Sequence, residues 1–331
     1  MSTVETKLKH NDPRLSVAPM MAWTDKHCRF LHRLFAPDAL LFTEMVTTGA
    51  LVYGDRWSLL DYNPQEHPVA LQLGGNDPQA LARCTQAAAQ RGYDEVNLNV
   101  GCPSDRVQNG AFGACLMRTP ELVGQCMAEM QAGVSIPVTV KCRLGVDDHD
   151  SDEALHEFVS IVSEAGCKRI YLHARKAILA GLTPAQNRDI PPLQPERVRA
   201  VKEAFPELEI VINGGIADLD EIAEMMTWAD GVMIGRAAYH HPDFLAQANE
   251  QLYGTPTRSL EDIIDIYRDY AIEAIAQGER LHSVTRHLLH AFNGRPGARK
   301  FRRTLSDSVR LKSGDITILD DALASVMPRA A

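Results

Sequence analysis

The sequence predicts an α/β protein: a (β/α)8 TIM barrel over residues 1–252, followed by a small all-helical domain over residues 253–331. Three observations carry that reading. Short apolar runs alternate for the most part with helical patterns over roughly 250 residues, the usual extent of such a barrel. Gln72, Asn99, Lys141, His173 and Asn213 fall at the ends of these runs, where the following loops begin. A barrel gathers those ends into one ring, which a doubly wound open sheet, the competing arrangement, does not. Beyond Tyr253 the strand signals stop, and GTPTRS at residues 254–259 reads as a linker.

Each element has a local cause. A polar arm opens the chain without the apolar core of a signal peptide. Residues 15–19 (LSVAP) form the first strand, and Thr24 or Asp25 can cap a helix over residues 26–35. Residues 40–44 and 68–73 are the second and third strands; Asn76 or Asp77 with Pro78 then opens a helix to Arg91, because proline suits a first turn. The fourth strand is 95–99, the fifth 137–141 after a helix over 121–131, and the sixth 169–173 after a helix over 151–165. The seventh, 209–213, runs into Gly214-Gly215, and the eighth, 231–234, into Gly235-Arg236. Residues 260–277 carry Ile263, Ile264, Tyr267, Tyr270, Ala271 and Ala274 at helical spacing.

Composition narrows the class. With 45% hydrophobic and 23% charged residues among 331, and no apolar run of membrane-spanning length, the chain reads as globular, soluble and cytoplasmic. Seven cysteines without a CxxC pair suit reduced thiols and no zinc site. A net charge of −9 argues against a nucleic-acid partner, but its distribution argues for one. Between residues 281 and 312, Arg286, Arg295, Arg299, Lys300, Arg302, Arg303, Arg310 and Lys312 face a single acid, Asp307.

The stretch 95–117, EVNLNVGCPSDRVQNGAFGACLM, organises the rest. Val96, Leu98 and Val100 alternate with Asn97 and Asn99, the period of a strand whose faces differ. The pattern ends at Gly101-Cys102-Pro103, so a thiol sits on a sharp turn at a strand's C-terminal end, where parallel sheets keep their chemistry. Most free cysteines are buried and inert. This one has Asn99 before it and Ser104, Asp105 and Arg106 after it, a polar setting that suits a reactive thiol. Residues 104–114 read as a mobile loop.

The glycines after strands seven and eight match the way barrels hold a phosphate on backbone N–H groups. Lys141 brings a cation to the edge of a bound ring, where it can stabilise a reduced flavin, and Gln72 offers an amide edge. No GxGxxG follows a strand, so the candidate cofactor is the mononucleotide FMN rather than a resident dinucleotide.

At this point the chain resembles the tRNA-dihydrouridine synthases, flavoenzymes that reduce uridine in tRNA to 5,6-dihydrouridine. The resemblance is carried by SVAPM with WTD after it, LLFTEMVTTGA, HPVALQLGG, NLNVGCPSDRVQNGAFGACLM, IPVTVKCRLG, HARKA, INGGI, GVMIGR and PGARKFRR, in order from Ser16 to Arg303. SDRVQNG and QNRDIPPL are similar to the A type, which acts at position 20 and its neighbour 20a in the D-loop. The resemblance implies FMN held by Ala18, Pro19, Met20, Gln72, Lys141, His173, Asn213, Gly214, Gly215, Gly235 and Arg236. It implies Cys102 as general acid, giving a proton to C5 of the uracil while flavin N5 gives hydride to C6, with NADPH as a transient reductant. The uracil must be extruded from folded tRNA to be reached. Asn99 is placed to meet its Watson-Crick edge, and the family suggests Arg175 and Lys176 for the base or its phosphate. Arg299, Lys300, Arg302 and Arg303 would grip tRNA backbone, with Gln186, Asn187 and Arg188 as a second contact on the rim. The expectation is a monomer with no metal and no membrane partner. Two rivals stay open: a flavin barrel acting on a free pyrimidine, which leaves the basic helices without a role, and an inert RNA-binding protein on the same scaffold.

Overall fold

The computed structural model describes residues 12–327; most of the polar N-terminal arm and residues 328–331 lie outside the described residues. Eight parallel strands close into a barrel in sequence order. They are β1 (Leu15–Val17), β2 (Leu40–Thr47), β3 (Val69–Gly74), β4 (Glu95–Val100), β5 (Val138–Arg143), β6 (Arg169–His173), β7 (Glu209–Asn213) and β8 (Gly231–Ile234). Pairing of Ser16 with Met233 brings β1 against β8 and completes the ring. β2 and β5 run further than their patterns suggest, to Thr47 and Arg143. In β5 the extra residues are Cys142 and Arg143, hidden by charge: an arginine at the end of a run looks like the start of a loop, yet it belongs to the strand.

Side-chain alternation sorts each strand into two environments. Val96, Leu98 and Val100 of β4 point outward into the large core, which they share with Leu81 and Cys84 of the helix Pro78–Gln90 and with Val123 and Met127 of the helix Pro120–Gln131. Residues of the other phase fill the barrel. Leu40, Phe42, Ala70, Tyr171, Val211 and Met233 form the apolar plug, with the rings of Phe42 and Tyr171 edge to face at 5.1 Å. Beside the plug runs a polar column. Arg169 Nη1 donates to Glu95 at 3.0 Å, Tyr171 donates to the same carboxylate at 3.2 Å, and Thr139 donates to it at 2.6 Å. Asn97 donates to Thr139 at 2.9 Å, Gln72 to Asn97 at 2.9 Å and Asn99 to Gln72 at 2.8 Å. Burial pushes the Glu95 carboxyl upward, and the Arg169 guanidinium opposes that shift. Every amide in the column is therefore partnered, as burial demands.

Of the two candidate caps, Asp25 is the one used: its carboxylate accepts from the N–H groups of His27 and Cys28 to start the helix Lys26–Phe35. Thr24 instead bonds to the backbone of Met20. The same helix carries the second core. Phe30, Leu31, Leu34 and Phe35 pack with Ile263, Tyr267 and Ala271 of the helix Leu260–Ala276 and with Phe292 and Phe301. The rings of Phe30 and Tyr270 stack at 3.9 Å, and Arg286 pairs with Asp25. The C-terminal helices thus sit on the first barrel helix through buried aromatics, each contributing roughly 1.5–3 kcal/mol by its burial. No helix among the described residues is long and apolar enough to cross a membrane.

Candidate active site

The turn after β4 sets the position of the thiol. Asn99 Oδ1 accepts from the N–H groups of Gly101 and Cys102, at 3.1 and 2.9 Å, and so closes the turn that glycine and proline allow. The Cys102 side chain is half-buried, and its Sγ lies 3.4 Å from Ser104 Oγ. Five of the other cysteines are buried, where burial pushes Cys84 and Cys126 up to about 11 and Cys167 to about 12, so these thiols are inert near neutral pH. Residues 104–114 are more ordered in form than a plain loop. They hold the short helix Asp105–Asn109, anchored by the buried Val107, and enter the 3-10 segment Gly113–Arg118. One apolar anchor is too little to make a period that sequence reading can detect.

Around this turn the expected ring of strand ends is present. Lys141 Nζ donates to Asn213 Oδ1 at 2.9 Å, while Asn213 Nδ2 donates to the Met233 carbonyl at 2.7 Å. Burial, helped by the charge of Arg143, pushes Lys141 down to about 8. Burial, then Arg143 and Lys141, hold His173 well below the ordinary histidine range, so its imidazole is neutral at pH 7. Gln72 and Asn99 each use one amide hydrogen and the oxygen within the protein, which leaves one N–H apiece for a ligand.

The glycine pair after β7 has a steric signature. Gly214 and Gly215 adopt φ of 111° and 80°; a Cβ at the first would lie 2.5 Å from His173 Cδ2 and at the second 2.4 Å from Leu193 Cδ1. Only glycine fits both. Ala18 N–H bonds to the Ile234 carbonyl at 2.8 Å, which brings the first-strand loop with Pro19 and Met20 beside Gly235. Arg236 pairs with Asp189 at 2.7 Å, so it must exchange that carboxylate for any phosphate it binds.

The rim departs from the sequence reading in two places. Asn187 is 0% exposed: its oxygen accepts from Ile178 N–H at 2.7 Å and its amide donates to the Ile178, Leu182 and Thr183 carbonyls. It is the internal brace of its loop and cannot touch tRNA, whereas its neighbours Gln186 and Arg188 are exposed. Lys176 is tied to Asp150 at 2.8 Å and to the Asp147 carbonyl. Arg175 donates to the carbonyls of Asp189 and Pro191, and its buried Nε has no hydrogen-bond partner among the described residues.

The basic cluster is also smaller than its sequence count. Arg286, Arg295 and Arg310 pair with Asp25, Glu261 and Asp321. In the helix Ala298–Leu305, Ala298, Phe301 and Leu305 turn inward, and Arg299, Lys300 and Arg303 face solvent with no ion pair among the described residues. Arg302 is half-exposed and bonds to Asn293 at 2.9 Å.

Sequence reading assigns no role to Arg143. It is 4% exposed, and its guanidinium donates to the carbonyls of Gly101, Lys176 and Asn187, each at 3.0 Å. One side chain therefore ties the thiol turn to the loop after β6. The signal that finds it is phase: Thr139, Lys141 and Arg143 alternate with Val138, Val140 and Cys142, so Arg143 shares the inward face with Lys141.

Comparison with known proteins bears on this geometry. The family model described as dihydrouridine synthase (Dus) matches residues 16–327. A curated relative from Vibrio vulnificus (strain CMCP6), a tRNA-dihydrouridine(20/20a) synthase, is 52% identical over 316 residues, covering 95% of this chain and 97% of its own. Proteins of the same description from Escherichia coli (strain K12) and Synechocystis sp. (strain ATCC 27184 / PCC 6803 / Kazusa) are 50% and 52% identical; they cover 96% and 93% of this chain and 92% and 93% of their own. Among solved structures, a 2-naphthoyl-CoA reductase complex superposes with a TM-score of 0.56 at 11% identity, over 76% of this chain and 53% of that one, a likeness of fold alone.

Proposed function

The chain belongs to the dihydrouridine synthase family, and from that premise we propose that it reduces uridine at positions 20 and 20a of the tRNA D-loop with FMN and NADPH. The observation that carries the proposal is a half-buried thiol on the same barrel mouth as an ammonium, two amides with spare N–H groups and a side-chain-free glycine cradle. That donor set suits FMN: the glycines for its phosphate, with Arg236 released from Asp189, and Gln72 and Lys141 for the polar edge of its ring. When bound, the flavin supplies the hydride. The chain's own residues do the rest. Asn99 offers its free N–H to the base, Cys102 gives the proton that completes the saturated ring, and the base reaches them as an extruded nucleotide. Residues 1–252 would act as the flavin domain and 253–331 as the tRNA grip, in the cytoplasm where tRNA is modified. Mapping dihydrouridine in tRNA from cells with and without this chain tests the reading. Loss at 20 and 20a supports it, and product from free uridine or orotate without tRNA would favour the free-pyrimidine alternative.

Two further outcomes are expected. Reversing Arg299, Lys300 and Arg303 to glutamate should weaken tRNA binding and flatten the plot of log affinity against log salt by roughly 0.7–0.9 for each phosphate no longer neutralised. Fluorescence anisotropy across a salt series checks this, and an unchanged slope would exclude the surface. FMN affinity should fall as pH rises through about 8, because the depressed Lys141 loses its charge there rather than near its ordinary value. Flavin fluorescence quenching at successive pH values reads this directly, and Lys141→Met should remove the pH dependence.

A further inference from the structure

From the contact between Cys102 and Ser104 we infer a positioning residue for the proton transfer: Ser104 accepts the hydrogen bond of the thiol and returns a proton to it after each turnover. The inference rests on the reading of Cys102 as the proton donor. Two features carry it. Sγ and Oγ are 3.4 Å apart, within reach of a thiol hydrogen bond, and Ser104 is half-exposed, so its hydroxyl connects a partly enclosed thiol to solvent.

The second feature is an unspent hydroxyl. Ser104 occupies the cap position of the helix Asp105–Asn109, where a serine commonly accepts a backbone N–H from the first turn. Here it makes no such bond. Its backbone carbonyl accepts from the N–H groups of Val107 and Gln108, both at 2.9 Å, and closes the helix unaided. The side chain is thereby left to the thiol. Alanine would serve the helix almost as well, so helix formation does not account for a hydroxyl at this position.

The proton count closes. As the S–H bond breaks, its proton forms the new C5–H bond with the electron pair leaving the C5=C6 double bond, and a thiolate remains. Sγ then takes the Ser104 hydroxyl proton, and the Ser104 oxygen takes one from solvent. Thiol and hydroxyl are both restored, and solvent has lost the one proton that the reduction consumes. Ser104 is half-exposed, so its hydroxyl can pass that proton from solvent to the half-buried thiol.

The test separates reloading from folding. With reduced, flavin-loaded full-length protein in excess over tRNA, Ser104→Ala should make its first product within about twofold of the parent rate, while steady-state formation falls roughly tenfold, a fraction of what a positioned acid itself contributes. Ser104→Thr, which keeps the hydroxyl, should restore the steady rate. A readout independent of activity is the infrared S–H stretch of Cys102, isolated by difference against Cys102→Ala; it should move to higher frequency when Ser104→Ala removes the acceptor. An unmoved band, a parent-like steady rate, or a first turnover slowed as much as later ones would overturn the inference. If instead Cys102→Ala makes product at the parent rate, the reading of the thiol as proton donor fails and the role of Ser104 falls with it.

Discussion

Cys102→Ala is expected to keep its yellow colour and its oxidation of NADPH while losing dihydrouridine formation by roughly 10²–10⁴-fold, the usual worth of a positioned general acid. The split follows from geometry. The thiol contacts Ser104, and its backbone is held by Asn99; the glycine cradle and Lys141 belong to other strands. Removing one sulfur leaves the cofactor's partners in place and takes away only the proton. The remaining half-buried cysteine, Cys115, bonds to the Phe112 carbonyl and cannot substitute. Absorbance of the purified variant, NADPH consumption, and nucleoside analysis of treated tRNA measure the three parts. Product at the parent rate would remove the thiol from the mechanism.

Arg143→Met should lower turnover roughly 100-fold, the scale on which a displacement of about 1 Å in a reacting group is felt. The guanidinium is the common donor for three carbonyls on separate segments, and methionine fills its volume without donating to any. Each carbonyl left dry costs about 1–3 kcal/mol, so the loops shift until water reaches them, and the turn bearing Cys102 shifts with them. Arg143→Lys should fail to rescue, because one ammonium cannot reach three acceptors spread across a planar fork. A denaturant melt and the flavin content of both variants show whether the barrel survives. Turnover within about threefold of the parent would mean that the loops hold their positions without the arginine.

How far the sequence could be read follows from where the period of two is visible. β6, β7 and β8 match their expected bounds because apolar residues run through them and the pattern stops at their ends, at a glycine after β7 and after β8. β5 does not, since it runs past Lys141 to Arg143, which looks hydrophilic although the strand carries it inward. The ring of Gln72, Asn99, Lys141, His173 and Asn213 was legible as strand ends facing one opening. What each side chain touches was not, because Lys141 meets Asn213 across 72 positions of chain. Asn187 shows the same limit from the other side: an asparagine in a polar segment reads as surface, and only the fold reveals that its amide is consumed by the carbonyls of its own loop.

The hydrogen-bonded column inside the barrel has a consequence for choice of base. Each member donates toward the Glu95 carboxylate and accepts from the one nearer the mouth, so no amide can be turned over without turning all of them. Asn99 must therefore spend its oxygen on the thiol turn and show its remaining hydrogen outward. Such a hydrogen can meet the carbonyl that uracil carries at C4 but not the amino group that cytosine carries there. On the proposed role of Asn99, discrimination between the two pyrimidines would be written from the far end of the barrel, by a carboxylate that neither of them ever meets.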